Sequence, residues 1–178
     1  MLPFLILSFF NHPLGVHEWD WITKMGGQLE PLNFWEMQWH AYIEWTGRYS
    51  STFISALTPY IYTLAGFRLF FFFNFLLGFG IILLTVRELL EIKQPGAYLS
   101  IAFLVWMTFI AGVSGVYDSF YMLTGIHTYA FGGYAFFLLM VLWKRYINSP
   151  KKNWIGWLII FLSFFAVGTN ELTMVFTI

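Results

Sequence analysis

The sequence predicts an all-α integral membrane protein, and three observations predict it. Only 10% of its 178 residues are charged, where a soluble domain carries about 25%. Hydrophobic residues make up 59% and aromatic ones 23%, and the mean hydropathy is +0.69. The charges that exist are spaced so that long apolar windows remain between them. Such a chain has too little polar surface to cover a water-soluble globule. This excludes an aqueous enzyme, a nucleic-acid binder and a disordered tail. Nine Lys and Arg offset nine Asp and Glu, so no basic surface steers nucleic acid. With no cysteine there is no disulfide and no thiolate metal site.

The elements follow from the windows. Residues 1–10, MLPFLILSFF, are apolar but too short to cross about 30 Å of hydrocarbon. They lack the basic region and cleavage site of a secretory signal and are expected to form a short anchor. Leu69 to Val86 is free of charge between Arg68 and Arg87, and Gln94 to Tyr117 has its apolar part at about 97–116. Ser119 to Trp143 is closed by Lys144 and Arg145, and Asn153 to Asn170 is closed by Glu171. These predict four transmembrane helices, at about 69–86, 97–116, 126–143 and 153–169. The run Phe70 to Phe73 lies in the first and is expected to pack in lipid.

The window Tyr49 to Phe67 is ambiguous. It is uncharged, but Ser50, Ser51, Thr52, Ser55, Thr58, Thr63 and Pro59 make it a poor lipid-facing helix. The Lys/Arg bias puts the loops 144–152 and 87–96 on the cytoplasmic side and residues 168–171 on the outer side. If 49–67 does not span, the loop from Asn11 to Tyr49 shares the outer face with Glu171. If it does span, that loop is cytoplasmic. Residue chemistry favours the first arrangement and charge counting the second.

That loop holds five of the nine tryptophans (Trp19, Trp21, Trp35, Trp39 and Trp45) and five of the nine acidic residues (Glu18, Asp20, Glu30, Glu36 and Glu44). Asn33 and Glu36 have capping-box spacing, and Gly47 is a natural stop, which predicts a helix at about 32–47. On it Trp35, Trp39, Tyr42, Trp45 and Tyr49 share one face, and Glu36, His40, Glu44 and Arg48 recur on another. The aromatic face reads as an interfacial belt or as a wall for stacking sugars, and the charged one as a solvated salt-bridged face. His12, His17, His40 and Glu36 have no diagnostic metal spacing. Asp118 and His127 flank an outer turn and read as locally hydrogen-bonded. Glu18, Asp20 and Glu171 lie where chain enters or leaves the membrane, where acids are costly without partners and so are functional candidates.

Several short motifs occur in a familiar order: Glu18-Trp19-Asp20-Trp21, then Trp45-Thr46-Gly47-Arg48-Tyr49, then Tyr121-Met122-Leu123-Thr124-Gly125 with Tyr129, and last Gly168-Thr169-Asn170-Glu171. In this the chain resembles a bacterial multi-span family of unassigned function related to the GT-C glycosyltransferases. It departs from that pattern where Trp19 separates the two acids and where Met122 stands in place of Trp.

The resemblance implies a single membrane domain over 1–178, expected to be the N-terminal part of a larger GT-C-like protein of the bacterial cytoplasmic membrane. It implies that residues 11–66 form an extracytoplasmic loop with a juxtamembrane helix at 50–65. It further implies transfer of a sugar from a polyprenyl-phosphate donor to a glycan or lipid acceptor at the outer face. Asp20 or Glu18 would deprotonate the acceptor, and Arg48 would hold the leaving phosphate. Trp19, Trp21 and Trp45 would stack on sugar. Glu171, with Asn170 and Tyr129, would complete the substrate site. A divalent cation, Mg2+ or Mn2+, held by carboxylates would share the charge neutralisation. The competing readings are a non-catalytic subunit or scaffold of cell-surface polysaccharide assembly, and a transporter fragment. The latter needs ionisable groups at mid-membrane, and the predicted spans have none there.

Overall fold

Backbone polar groups in an apolar setting must be satisfied within their own segment, which leaves helices as the local solution. The computed structural model describes residues 2–10, 34–40, 43, 48–57, 64–112, 120–121, 125–148 and 153–169. Among these it is helical almost throughout, with no strand. The helices are α1 (Leu2–Phe10), α2 (Phe34–His40), α3 (Tyr49–Leu57), α4 (Leu64–Leu90), α5 (Pro95–Gly112), α6 (Phe131–Asn148) and α7 (Asn153–Val167). A π-helical turn, Ile126–Ala130, runs directly into α6.

Among the described residues, three stretches are long and apolar enough to cross a membrane: Ala65–Leu90, Pro95–Gly112 and Ile126–Asn148. At 1.5 Å per residue they measure about 39, 27 and 34 Å. The fourth expected span, α7, is a shorter apolar helix of 15 residues. The first span is longer at both ends than the expected 69–86, because Arg68, Arg87 and Glu88 stay helical. Long charged side chains reach outward from helix ends without breaking them. Of the expected helix at 50–65, α3 covers 50–57 and α4 takes in Leu64 and Ala65; residues 58–63 lie outside the described residues. Of the expected helix at 32–47, α2 covers 34–40.

α6 is the central element, packed against α4 on one side and α7 on the other, while α5 and α1 both lie on α4. The core is built from rings set over glycines. Trp106 of α5 is fully buried and meets Phe75 edge-on, with centroids 6.1 Å apart, and Phe120 likewise at 5.7 Å. A methyl group added to Gly78 would lie 2.5 Å from Tyr134 Oη and 2.6 Å from Trp106 Cη2, so α4, α5 and α6 meet at this glycine. Gly133 likewise faces the Phe109 ring at 2.8 Å. Small residues allow this close approach where helices pack without a hydrophobic driving force.

The phenylalanine run does more than face lipid. Consecutive residues on a helix turn by about 100°, so the four rings have different surroundings. Phe71 is fully buried and stacks on Tyr121, Phe70 meets His127 and Phe131, Phe72 touches Phe9 of α1, and Phe73 is exposed.

Hydroxyls inside the helices are satisfied locally. Thr85 Oγ1 donates to Ile81 O at 2.8 Å and also lies 3.3 Å from Phe137 O of α6. Asn74 and Trp106 are exceptions: both are buried, and neither the Asn74 amide atoms nor Trp106 Nε1 has a hydrogen-bond partner among the described residues.

Candidate functional site

The site forms where α3 lies across one end of the bundle. α3 is rich in hydroxyls, so it needs polar partners that lipid does not supply. It finds them at the end of α7 and at the π-helical turn. Ser50 N donates to Gly168 O at 3.0 Å and Ser51 N to the same oxygen at 3.4 Å. Tyr49 Oη donates to Phe164 O at 2.7 Å. The Ser51 and Thr128 hydroxyls share a buried hydrogen bond of 3.1 Å. A Cβ on Gly168 would overlap the Tyr49 ring and Ser50 Oγ, so only glycine permits this contact.

α2 is tied to α3 through Gln38 and Thr52. Gln38 Nε2 donates to Thr52 O at 2.9 Å, and Thr52 Oγ1 donates to Gln38 Oε1 at 3.2 Å. Between α2, α3 and α7 lies a cavity of about 550 Å³ lined by Trp35, Gln38, Trp39, Tyr49, Thr52 and Phe164. Tyr49 and Phe164 form one wall, their centroids 4.7 Å apart. Trp35 and Trp39 are largely exposed beside it. An apolar aromatic wall with a few polar groups fits an amphipathic ligand such as a sugar face.

Of the residues assigned to the site from sequence, Arg48 and Tyr129 are described. Arg48 precedes α3, and its carbonyl accepts from Thr52 N at 3.0 Å. Tyr129 is partly exposed on the π-helical turn, next to the Thr128 that holds Ser51. Both therefore belong to the α3 end of the bundle, and so does Gly168-Thr169. Glu18, Trp19, Asp20, Trp21, Trp45, Asn170 and Glu171 lie outside the described residues, as does Asp118. His127 is described: it is fully buried, with Phe70 and Phe131 against its ring. Among the described residues no three His, Asp or Glu side chains come together to hold a metal ion.

Segments beside three of the four sequence motifs thus meet: the one following Trp45-Thr46-Gly47-Arg48, the one around Tyr129, and Gly168-Thr169. The sequence puts Trp35 and Trp39 on an aromatic helix face but does not assign them to the site. The available signal is the i, i+4 spacing of the two tryptophans, together with Gln38 one turn from Phe34. Ser51, Thr52, Thr128 and Phe164 carry no local signal, because their partners are 14 to 115 residues away. No protein-family model, curated protein or solved structure matches this chain.

Proposed function

We propose that the chain is an integral membrane protein of GT-C-like glycosyltransferase type, transferring a sugar from a polyprenyl-phosphate donor to a glycan or lipid acceptor at the outer membrane face. The observation that carries this reading is the junction of α3 with Gly168 and Thr128, which draws segments beside three of the four motifs to one end of the bundle, next to a tryptophan-lined cavity. In this reading α7 is the fourth span. The charged end of the bundle faces the cytoplasm by the Lys/Arg rule, and residues 11–66 lie outside.

The chemistry assigned to the site is simple in outline. Asp20 or Glu18 takes the proton from an acceptor hydroxyl, whose oxygen then bonds to the anomeric carbon. The bond from that carbon to the lipid-phosphate oxygen breaks, and the phosphate departs carrying the electron pair against the Arg48 guanidinium. Trp35, Trp39 and Tyr49 join Trp19, Trp21 and Trp45 as surfaces for sugar stacking, and Glu171 with Asn170 and Tyr129 completes the site.

Sidedness is the first test. In this cysteine-free chain, Gly27→Cys should react with a membrane-impermeant thiol reagent on intact cells and Ser149→Cys should not. Protection at both positions would split the site across the membrane and end the enzyme assignment. Asp20→Asn and Glu18→Gln would then be assayed for transfer from a polyprenyl-phosphate sugar. Retention of wild-type rate by both would remove the base assignment, and absence of transfer by the wild-type chain itself would leave the scaffold reading.

A further inference from the structure

The end of the bundle opposite α3 gathers a different set of groups. α4 stops at Leu90, and Glu91 takes a φ of 54°, the left-handed conformation that glycine usually supplies after a helix. This bend returns the chain to α5 within four residues. Two cations of α6 are committed to the corner. Lys144 Nζ donates to Glu88 O at 2.5 Å and to Glu91 Oε1 at 2.6 Å, with Leu89 O at 3.4 Å. Arg145 Nη2 donates to Glu88 Oε1 at 2.6 Å. Lys144 therefore satisfies carbonyls that the end of α4 would leave open, with the charge sign that a helix C-terminus favours.

Beside these pairs is a cavity of about 680 Å³ whose lining includes Arg87, Lys93, Tyr98 and Asn148 as well as the paired residues. Glu88 and Glu91 are each matched by an α6 cation, so Arg87 and Lys93 leave the cavity with two positive charges in surplus. The Tyr98 hydroxyl and the Asn148 amide add neutral donors, and Ile92 gives it an apolar patch.

We infer that this cavity binds the phosphate of an anionic membrane lipid. The inference rests on the reading of the chain as a membrane protein, because it places the cavity at headgroup level, just past the apolar stretch of α4. There a guanidinium fork and an ammonium meet a phosphate oxygen array, and each surface cation strengthens attraction to anionic lipid by roughly 1 kcal/mol. The site lies at the opposite end of the bundle from the proposed transfer chemistry and shares no residue with it.

The test uses the full chain in neutral detergent, with bound lipid counted by native mass spectrometry during titration with phosphatidylglycerol, phosphatidylcholine or inorganic phosphate. Phosphatidylglycerol is expected to bind in preference to phosphatidylcholine. The double variant Arg87→Gln with Lys93→Gln, which leaves both ion pairs intact, should bind it about 30-fold more weakly. Equal binding of the two lipids, or equal binding by variant and wild type, would overturn the inference. Displacement of the lipid by millimolar inorganic phosphate would assign the cavity to a free anion and overturn the lipid as its occupant. Insertion into phosphatidylcholine nanodiscs tests the membrane reading separately, and failure there would remove both.

Discussion

Gly168→Ala should detach α3 from the end of the bundle. The added methyl group overlaps Tyr49 and Ser50, and neither can yield in place. Tyr49 is held by its bond to Phe164 O at 2.7 Å, and the backbone of Ser50 by its bond to Gly168 O at 3.0 Å. Relief requires α3 to lift, which breaks these two bonds and weakens that of Ser51 N to the same carbonyl. At a net value of about 1 kcal/mol per hydrogen bond, the loss comes to about 2 kcal/mol. A change of about 2 kcal/mol multiplies the population of the lifted state by about 30.

The assay is thiol accessibility at Ser51→Cys, a buried position, measured once with Gly168 intact and once combined with Gly168→Ala. Labelling should be about 30-fold faster in the combined variant. Phe53→Cys, on the exposed side of α3, should label equally fast with and without the glycine substitution. An unchanged rate at position 51 would refute the claim that Gly168 is the anchor of α3.

Asn74→Leu should raise thermal stability in detergent by about 1–3 kcal/mol, since it removes a buried amide that lacks partners among the described residues; a lower melting temperature would mean that the amide is engaged. Gly78→Ala should cost about 1–3 kcal/mol through overpacking against Tyr134 and Trp106, read by loss of the buried Trp106 fluorescence signature on heating. The Lys144 ammonium holds the Glu91 carboxyl below the usual carboxylate range, chiefly through their hydrogen bond. A lowered folded-state value means that this link helps above the ordinary carboxylate range and is lost as pH falls through the folded value. Glu91→Gln should therefore lower stability slightly at neutral pH and leave it nearly unchanged in acid, so that the pH dependence of unfolding flattens, as melting curves across the acid range up to neutrality would reveal.

The spans are legible in the sequence because charge is the strongest signal in this chain: Arg68, Arg87, Lys144 and Arg145 bracket their windows. The same signal misplaces the helix ends. It treats a charge as a boundary, whereas Arg68, Arg87 and Glu88 remain helical because their side chains reach beyond the apolar layer. The ambiguity at 49–67 arises from a hydroxyl-rich stretch whose composition fits neither lipid nor water. Its first half meets Gly168 O and Thr128, more than 75 residues away, which no local pattern encodes. For the same reason Lys144 reads in the sequence as a topology marker only, since its role at the end of α4 depends on partners 53 to 56 residues earlier. Trp35 and Trp39 fall on one aromatic face, but a belt and a cavity wall share that spacing, and α7 has to be in place to tell them apart.

The glycine at the crossing of α4, α5 and α6 also limits how the molecule moves. A helix that slides past its neighbour by one turn shifts about 5.4 Å. For α4 that would replace Gly78 with Asn74 or Ile82 under the rigid rings of Trp106 and Tyr134, where even a methyl group finds no room. Gly78 therefore acts as a pawl that fixes the axial register of the three helices. The ends are held differently, by hydrogen bonds rather than interlocked rings: α3 by Gly168 O, Phe164 O and Thr128, and the α4–α5 corner by Lys144.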